Sequence, residues 1–106
     1  MKYEIVYGDH ALDRLFAVAS ELDAPELVDA VEEAMDRLAD DPLHHGKRGR
    51  TIYQLPGGRV VRAQEFDFHC NAGPGRGVHF RAHFYFGDDE LSLRVINLTA
   101  NPYLRL

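Results

Sequence analysis

The chain has 106 residues and a formal net charge of −5, a length at which one domain can bury its apolar side chains without a metal or disulfides. Its single cysteine, Cys70, excludes an internal disulfide and fits a reducing compartment. The sequence contains neither a signal-peptide core nor an apolar run of membrane-spanning length. We therefore expect a cytoplasmic protein with no membrane association.

The charge is distributed unevenly along the chain. Residues 1–43 hold three basic and twelve acidic side chains, a net charge of −9, whereas residues 44–106 hold nine basic and five acidic ones, a net charge of +4. This asymmetry predicts an acidic face and a basic face on one small domain, and a phosphate backbone could bind the basic face. Solvated helix surfaces explain the acidic half equally well.

The first half of the chain predicts one strand and two helices. Residues 2–7 alternate as a strand does and end at Gly8-Asp9. Asp9 is expected to cap a helix that ends near Asp23, because apolar residues recur there at helical spacing. Asp23, Pro25 and Glu26 then form a capping-box-like start for a second helix, and Asp41-Pro42 ends it.

The second half predicts a loop over residues 44–50, followed by extended segments. Residues 51–55 and 59–69 are separated by Pro56-Gly57-Gly58, and residues 71–77 form a loop rich in glycine. The expected order is β-α-α-β-β-β, an α+β fold in which two N-terminal helices pack on one face of a mostly antiparallel sheet. The other face of that sheet is expected to be open.

The stretch from Val78 to Leu98 predicts a β-hairpin with two different faces. Phenylalanines and an alanine alternate with polar residues, so that the polar set points to one side: His79, Arg81, His83 and Tyr85. With the turn at Asp88-Asp89, the expected pairs are Tyr85 with Ser92, His83 with Arg94 and Arg81 with Ile96, and Leu91, Leu93 and Val95 join the phenylalanine face. The polar strip is either a functional surface or a solvated sheet face.

This order of elements, together with four sequence segments, resembles the RelE/ParE superfamily of bacterial toxins over nearly the whole chain. The segments are Leu55-Pro-Gly-Gly-Arg59, Phe80-Arg-Ala-His-Phe-Tyr-Phe86, Asp88-Asp-Glu90 and Leu91-Ser-Leu-Arg-Val-Ile-Asn97. The resemblance implies a single RelE/ParE-like domain, residues 1–106, that pairs with a cognate antitoxin protein. Some members cut messenger RNA on the ribosome without a metal, and others poison DNA gyrase.

The resemblance also implies roles for individual residues. Arg81 matches the arginine with which ribonuclease members hold the scissile phosphate, and Arg59 or Arg62 corresponds to basic residues on the preceding strand. Tyr103 corresponds to a C-terminal tyrosine. The chain departs from the family after the expected last strand, where residues 99–103 contain no arginine or lysine.

Cleavage of RNA without a metal needs a base, an acid and cations that stabilise the developing phosphorane charge. The candidate catalytic residues that could fill these roles are Arg81, His83, Arg94, Tyr85 and Tyr103. His83 could serve as base or acid, because an unperturbed imidazole changes charge near neutral pH, and the expected neighbour Arg94 would favour its neutral form. The candidate RNA-binding residues are Arg59, Arg62, His79, Lys47, Arg48 and Arg50.

The histidines do not predict a metal site. His79 and His83 share a face but lie about 13 Å apart along an extended strand, too far to ligate one ion. We therefore expect no metal and no other cofactor. The favoured function is a toxin that inhibits translation by cleaving messenger RNA at the ribosome. The alternative is a RelE/ParE-like binding module, directed at an antitoxin or gyrase, or a homologue that has lost its toxicity.

Overall fold

The computed structural model describes residues 2–89 and 91–104. These residues form an α+β fold whose elements are β1 (Glu4–Tyr7), α1 (Asp9–Glu21), α2 (Glu26–Asp40), α3 (Pro42–His45), β2 (Lys47–Gln54), β3 (Val60–Asn71), β4 (Arg76–Phe86) and β5 (Ser92–Leu104). The expected order β-α-α-β-β-β is therefore incomplete: it lacks one strand and the short helix α3.

The strands form a single open sheet in the order β1-β5-β4-β3-β2. β1 runs parallel to β5, and all other neighbours are antiparallel. The long meander of β2 to β5 follows from short connections, which can join only antiparallel strands. The chain between β1 and β5 instead spans the helices and the meander, which allows the parallel pairing.

Helices α1 and α2 pack on one face of the sheet, as expected. α1 contacts β5 and α2 contacts β3, and their apolar stripes meet the phenylalanines of β3 and β4 in one core. Phe80 and Phe84 are fully buried there. We call the opposite side of the sheet the open face, because neither α1 nor α2 covers it.

Both predicted helix caps are wrong. Asp9 is the first residue of α1 and Gly8 occupies the cap position, without a capping hydrogen bond from a side chain. Asp23 has a φ of 49°, and Pro25 precedes α2 as its cap residue. A residue in the left-handed region commonly ends a helix, and Asp23 accordingly ends α1 instead of starting α2. The predicted stop of α2 at Asp41-Pro42 is confirmed.

The predicted loop over residues 44–50 is also wrong. Residues Pro42–His45 form α3, whose cap residue Asp41 accepts a hydrogen bond from the backbone N–H of His44. Strand β2 begins directly afterwards at Lys47 and pairs with β3. The segment predicted to be extended over residues 51–55 contains the second half of this strand. The first half falls in the predicted loop, and the pairing with β3 is irregular between Arg48 and Ile52.

The β4–β5 hairpin has a different register from the expected one. Tyr85 lies opposite Arg94, His83 opposite Asn97 and Arg81 opposite Thr99. Two features cause the change. The turn extends to Ser92, whose carbonyl accepts a hydrogen bond from Gly87, and a β-bulge leaves Ile96 without a partner between His83 and Phe84.

The bulge decides which side chains of β5 face the core. Leu98 is buried on the helix side, and beyond the bulge the odd-numbered Leu93 and Val95 are buried on that side as well. Leu91, which was expected to join them, is 52% exposed. The extra residue therefore places Arg94 on the open face. If the alternation continued from Leu98 without a bulge, Arg94 would point toward the helices.

Strand β5 is also longer than expected and extends to Leu104. Residues 99–103, which were expected to follow the last strand, pair with β4 instead. None of the described helices is long and apolar enough to cross a bilayer.

Candidate functional site

The open face carries rows of polar side chains that cross three strands. In one row Glu65 of β3 lies opposite His83 of β4, which lies opposite Asn97 of β5. In the next row Asp67 lies opposite Arg81. The polar strip expected on β4 therefore exists, but each of its central residues faces a carboxylate from β3.

Arg81 is held by the carboxylate of Asp67. Its Nε donates to Oδ1 at 2.7 Å and its Nη2 to Oδ2 at 3.4 Å, while Oε1 of Glu65 lies 3.8 Å from Nε. Partial burial raises the pKa of Asp67, but hydrogen bonds from Arg81 and Lys47 outweigh this effect and hold the pKa well below its usual range. The same pairing raises the pKa of Arg81.

Two further side chains contact Asp67. Nζ of Lys47 lies 2.7 Å from Oδ2, and Nε2 of His79 lies 3.3 Å from Oδ1. We call these four residues, Lys47, Asp67, His79 and Arg81, the Asp67 cluster. Three of its members were expected on the functional face, and the structure brings them together around an acid that the sequence analysis did not consider.

His83 lies next to the Asp67 cluster and is only 7% exposed. Its Nδ1 shares a hydrogen bond of 2.5 Å with the hydroxyl of Tyr53. Its Nε2 is buried without a hydrogen-bond partner among the described residues, although Oε2 of Glu65 lies 3.5 Å away. If Tyr53 donates to Nδ1, the proton of a neutral imidazole is on Nε2 and faces Glu65. The expected neighbour Arg94 is not part of this contact.

Tyr103 lies at the far end of the open face. Its hydroxyl is 3.1 Å from Nδ1 of His69, and the His69 ring stacks on that of His79 with centroids 4.8 Å apart. Tyr103 pairs in register with Gly77, four residues before Arg81. The structure therefore links Tyr103 to His79 of the Asp67 cluster through the ring of His69 and not directly.

Tyr85 and Arg94 lie beyond His83 at the opposite end of the open face. Both line an open cleft of about 460 Å³, whose other walls are Leu55 and Pro56 on one side and the residues that begin α1 on the other. The guanidinium of Arg59 lies 5.9 Å from the centre of the Tyr85 ring and 2.7 Å from Oδ1 of Asp88.

The remaining basic candidates do not join this site. Arg62 points to the helix side of β3, because it stands an even number of residues before the buried Phe66. Arg48 lies directly opposite Gln64, on that same side. Arg50 belongs to the irregular part of β2 and is exposed. The structure therefore does not support one continuous RNA-binding surface that contains all six predicted basic residues.

Sequence reasoning missed the acids and the tyrosine that complete the site: Glu65, Asp67 and Tyr53. A signal for the acids was present, because Glu65 and Asp67 alternate with Phe66 and Phe68. When the phenylalanines face the core, both carboxylates must point to the open face. Tyr53 had no comparable signal, since its contact with His83 depends on the irregular pairing of β2.

Within residues 2–89 and 91–104, no three histidine, cysteine, aspartate or glutamate side chains are grouped so that they could hold a metal ion. The Asp67 cluster and the residues beside it supply two carboxylates, two histidines, two cations and a tyrosine. Such a set can bind a phosphate and can transfer protons.

Comparisons with known proteins give no relative on which to base a function. No protein-family model matches the chain, and neither the curated proteins nor the solved structures provide a match.

Proposed function

We propose that the protein is an endoribonuclease that works without a metal on the open face of its sheet. The observation that carries this proposal is the position of Arg81 between two histidine–carboxylate pairs. His83 faces Glu65 on one side, and His79 faces Asp67 on the other. A cation flanked by two groups that can exchange protons is the arrangement that cleavage of a phosphodiester through its 2′-hydroxyl requires.

In the proposed reaction Glu65 accepts the proton of the 2′-hydroxyl, and the 2′-oxygen forms a new bond to phosphorus. The bond from phosphorus to the 5′-oxygen breaks, and a protonated His79 gives its proton to that leaving oxygen. The products are a 2′,3′-cyclic phosphate and a free 5′-hydroxyl. His83 acts as a positioning residue, since its buried ring lies against the carboxylate of Glu65 and fixes the direction of that carboxylate.

Arg81 can bind a phosphate without complete loss of its pairing with Asp67. Asp67 uses Nε and Nη2 of the guanidinium, and Nη1 makes no hydrogen bond to the described residues. The side chain is 39% exposed, so the free edge is accessible to a ligand. Lys47, which is 58% exposed, supplies a second cation beside it.

The biological setting that we propose is a toxin–antitoxin system, in which this chain is the toxin. The resemblance to the RelE/ParE superfamily supports this setting, and the α+β fold agrees with it at the level of element types. In that setting the substrate is messenger RNA on the ribosome, and an antitoxin protein keeps the chain inactive in the cytoplasm.

One observation favours the alternative function of a binding module. Asp67 and Glu65 offset the charges of Lys47 and Arg81, which lowers the positive potential that an RNA backbone would meet. A face with both signs of charge suits a protein partner, such as an antitoxin or gyrase. The two functions differ in whether a phosphodiester bond is broken.

The deciding experiment is primer extension on a defined message in a purified ribosomal translation system. We expect the wild-type protein to cleave at positions set by the codon and to leave 2′,3′-cyclic phosphate ends. Arg81→Ala and Glu65→Gln should each abolish cleavage, because one removes the phosphate ligand and the other the base. Arg14→Ala, an exposed arginine on α1, is the matched control and should cleave as the wild type does.

Each variant should first be shown to be folded by circular dichroism. If folded wild-type protein leaves the message intact, the ribonuclease proposal is wrong and the binding module replaces it. Cleavage that persists in Arg81→Ala would also contradict the proposal, since it would move the reaction away from the open face.

A further inference from the structure

The cleft at the end of the open face differs electrostatically from the Asp67 cluster. Arg94 lines this cleft together with Asp9, and the carboxylate of Asp89 is near enough to interact with its charge, but within residues 2–89 and 91–104 no carboxylate lies within 4 Å of its guanidinium. Arg81, in contrast, faces both Asp67 and Glu65. Of these two open-face arginines, Arg94 is therefore the better placed to bind an added anion.

The cleft also contains an aromatic surface. Tyr85 lines it beside Arg94, its cross-strand partner, and no hydrogen bond from the described residues engages the Tyr85 hydroxyl. Leu55 and Pro56 supply an apolar wall. A tyrosine ring and an apolar wall favour a flat base, and the neighbouring guanidinium favours its phosphate. The volume of about 460 Å³ is within the range of pockets that hold small ligands.

The bulge in β5 is what creates this combination. Ile96, the unpaired residue, also lines the cleft, and the shift that it introduces turns Arg94 to the side of Tyr85. Bulges frequently occur beside active sites, where they redirect a side chain. Here the bulge lies between the row that contains His83 and the row that contains Tyr85. It is therefore located between the Asp67 cluster and the cleft.

From this geometry we infer that the cleft is a nucleotide subsite, in which Tyr85 stacks on a base and Arg94 binds its phosphate. The inference rests on the proposed function, because it assigns the cleft to a nucleotide of the same RNA strand whose phosphate Arg81 binds. Tyr85 and Arg81 are four residues apart on β4, about 13 Å along the strand. One RNA strand can therefore occupy both places at once.

The subsite can be tested by binding alone, without cleavage. The probe is a tetranucleotide whose riboses carry 2′-O-methyl groups, which removes the nucleophile, and binding is measured by isothermal titration calorimetry. We expect Arg94→Gln to weaken binding about tenfold or more, because it removes a charged hydrogen bond. Tyr85→Leu should have a similar effect through lost stacking, whereas Tyr85→Phe, which keeps the ring, should bind as the wild type does.

Arg14→Gln on α1 carries the same substitution away from the cleft and should not change the affinity. A second titration with adenosine monophosphate distinguishes a site for a strand from a site for a free nucleotide. Tighter binding of the tetranucleotide supports the subsite, and tighter binding of the monophosphate contradicts it. Unchanged affinity for the tetranucleotide in both Arg94→Gln and Tyr85→Leu would also overturn the inference.

The outcome is separable from that of the proposed function. Message cleavage by wild type together with unchanged tetranucleotide binding in the cleft variants would reject the subsite and keep the ribonuclease. Cleft-dependent binding of the tetranucleotide without any message cleavage would reject the ribonuclease and show that the cleft binds nucleic acid for another purpose. That second result would overturn the inference that the cleft is a subsite of a ribonuclease.

Discussion

Asp67 is the residue on which the open face depends. Its carboxylate contacts Lys47, His79 and Arg81 at distances of 2.7 to 3.3 Å, and without it three basic side chains would face one another. A carboxylate that is paired in this way stabilises the folded state and at the same time fixes the direction of the guanidinium. The residue therefore connects stability to the chemistry proposed for Arg81.

The substitution Asp67→Asn tests this dependence. At pH 7 we expect the free energy of unfolding to fall by about 1–3 kcal/mol, because charged hydrogen bonds are lost. The pKa of Asp67 is lowered in the folded state, so its contribution is present above the unfolded value near 4 and is lost as the pH falls through the folded value. Urea unfolding at several pH values should show the two proteins converging below about pH 4.

A constant difference between wild type and Asp67→Asn from pH 7 to pH 2 would contradict this interpretation. Asp13→Asn on α1 is a suitable control, since this exposed aspartate contacts no cation among the described residues. It should change stability by less than about 0.5 kcal/mol at every pH.

At the scale of elements, the junction between α3 and β2 determines where Lys47 lies. Gly46 separates the two elements, and a Cβ atom there would lie 2.7 Å from both Cζ of Phe84 and the carbonyl oxygen of Pro42. The first contact is a buried core ring and the second is backbone. Neither can move freely, so only glycine fits where the chain turns from the helix into the edge strand.

Gly46→Ala should therefore destabilise the protein by about 1–3 kcal/mol, the usual cost of overpacking. Gly77→Ala is the matched control. The three atoms nearest to a Cβ atom at Gly77 all belong to the Tyr103 side chain, at 2.6 to 2.9 Å, and that side chain is at the surface and can shift. Urea denaturation of both variants should show the larger loss for Gly46→Ala; an equal or smaller loss would mean that the junction is more flexible than its contacts indicate.

The elements also show how far sequence reasoning reached. Regular periodicity predicted α1, α2 and the alternation of β4, because each buries one continuous stripe against the core. It predicted only the second half of β2 and gave the wrong register for β5, and in both strands irregular pairing breaks the alternation. A bulge adds one residue without any characteristic composition, so its position depends on contacts between strands that a single sequence does not show.

The candidate site was predicted only in part, because alternation along a strand shows which side chains share a face but not how neighbouring strands pair. Arg81, His83 and His79 could be placed on one face, since they alternate with phenylalanines along β4. Their partners Glu65 and Asp67 come from a different strand, and which carboxylate meets which cation depends on the β3–β4 register. Arg94 was expected opposite His83 because the sequence places the turn at Asp88-Asp89, whereas the longer turn to Ser92 puts Arg94 opposite Tyr85.

At the scale of the whole molecule, one core joins the helices to the sheet. Leu38 of α2 and Phe80 of β4 are both fully buried and belong to the same cluster, and Phe80 stacks on Phe68 with ring centroids 5.3 Å apart. Among the residues that the structure describes, the open face carries no comparable apolar layer. The positions of Arg81 and His83 are therefore fixed by the core packing of the residues that alternate with them along β4.

Because one core joins the helices to the sheet, a core substitution in either layer should lower the free energy of unfolding of the whole domain. Leu38→Ala should cost about 2–5 kcal/mol and Phe80→Ala about 3–5 kcal/mol, large fractions of the 5–15 kcal/mol typical of a small domain. Leu43→Ala should cost much less, because Leu43 is 79% exposed.

Unfolding should be followed by far-ultraviolet circular dichroism for the helices and by tyrosine fluorescence for the sheet. If the two signals change at the same urea concentration in each variant, the helices and the site-bearing sheet form one cooperative unit. Separate transitions in Leu38→Ala would mean instead that the sheet keeps the open face assembled without its helical layer.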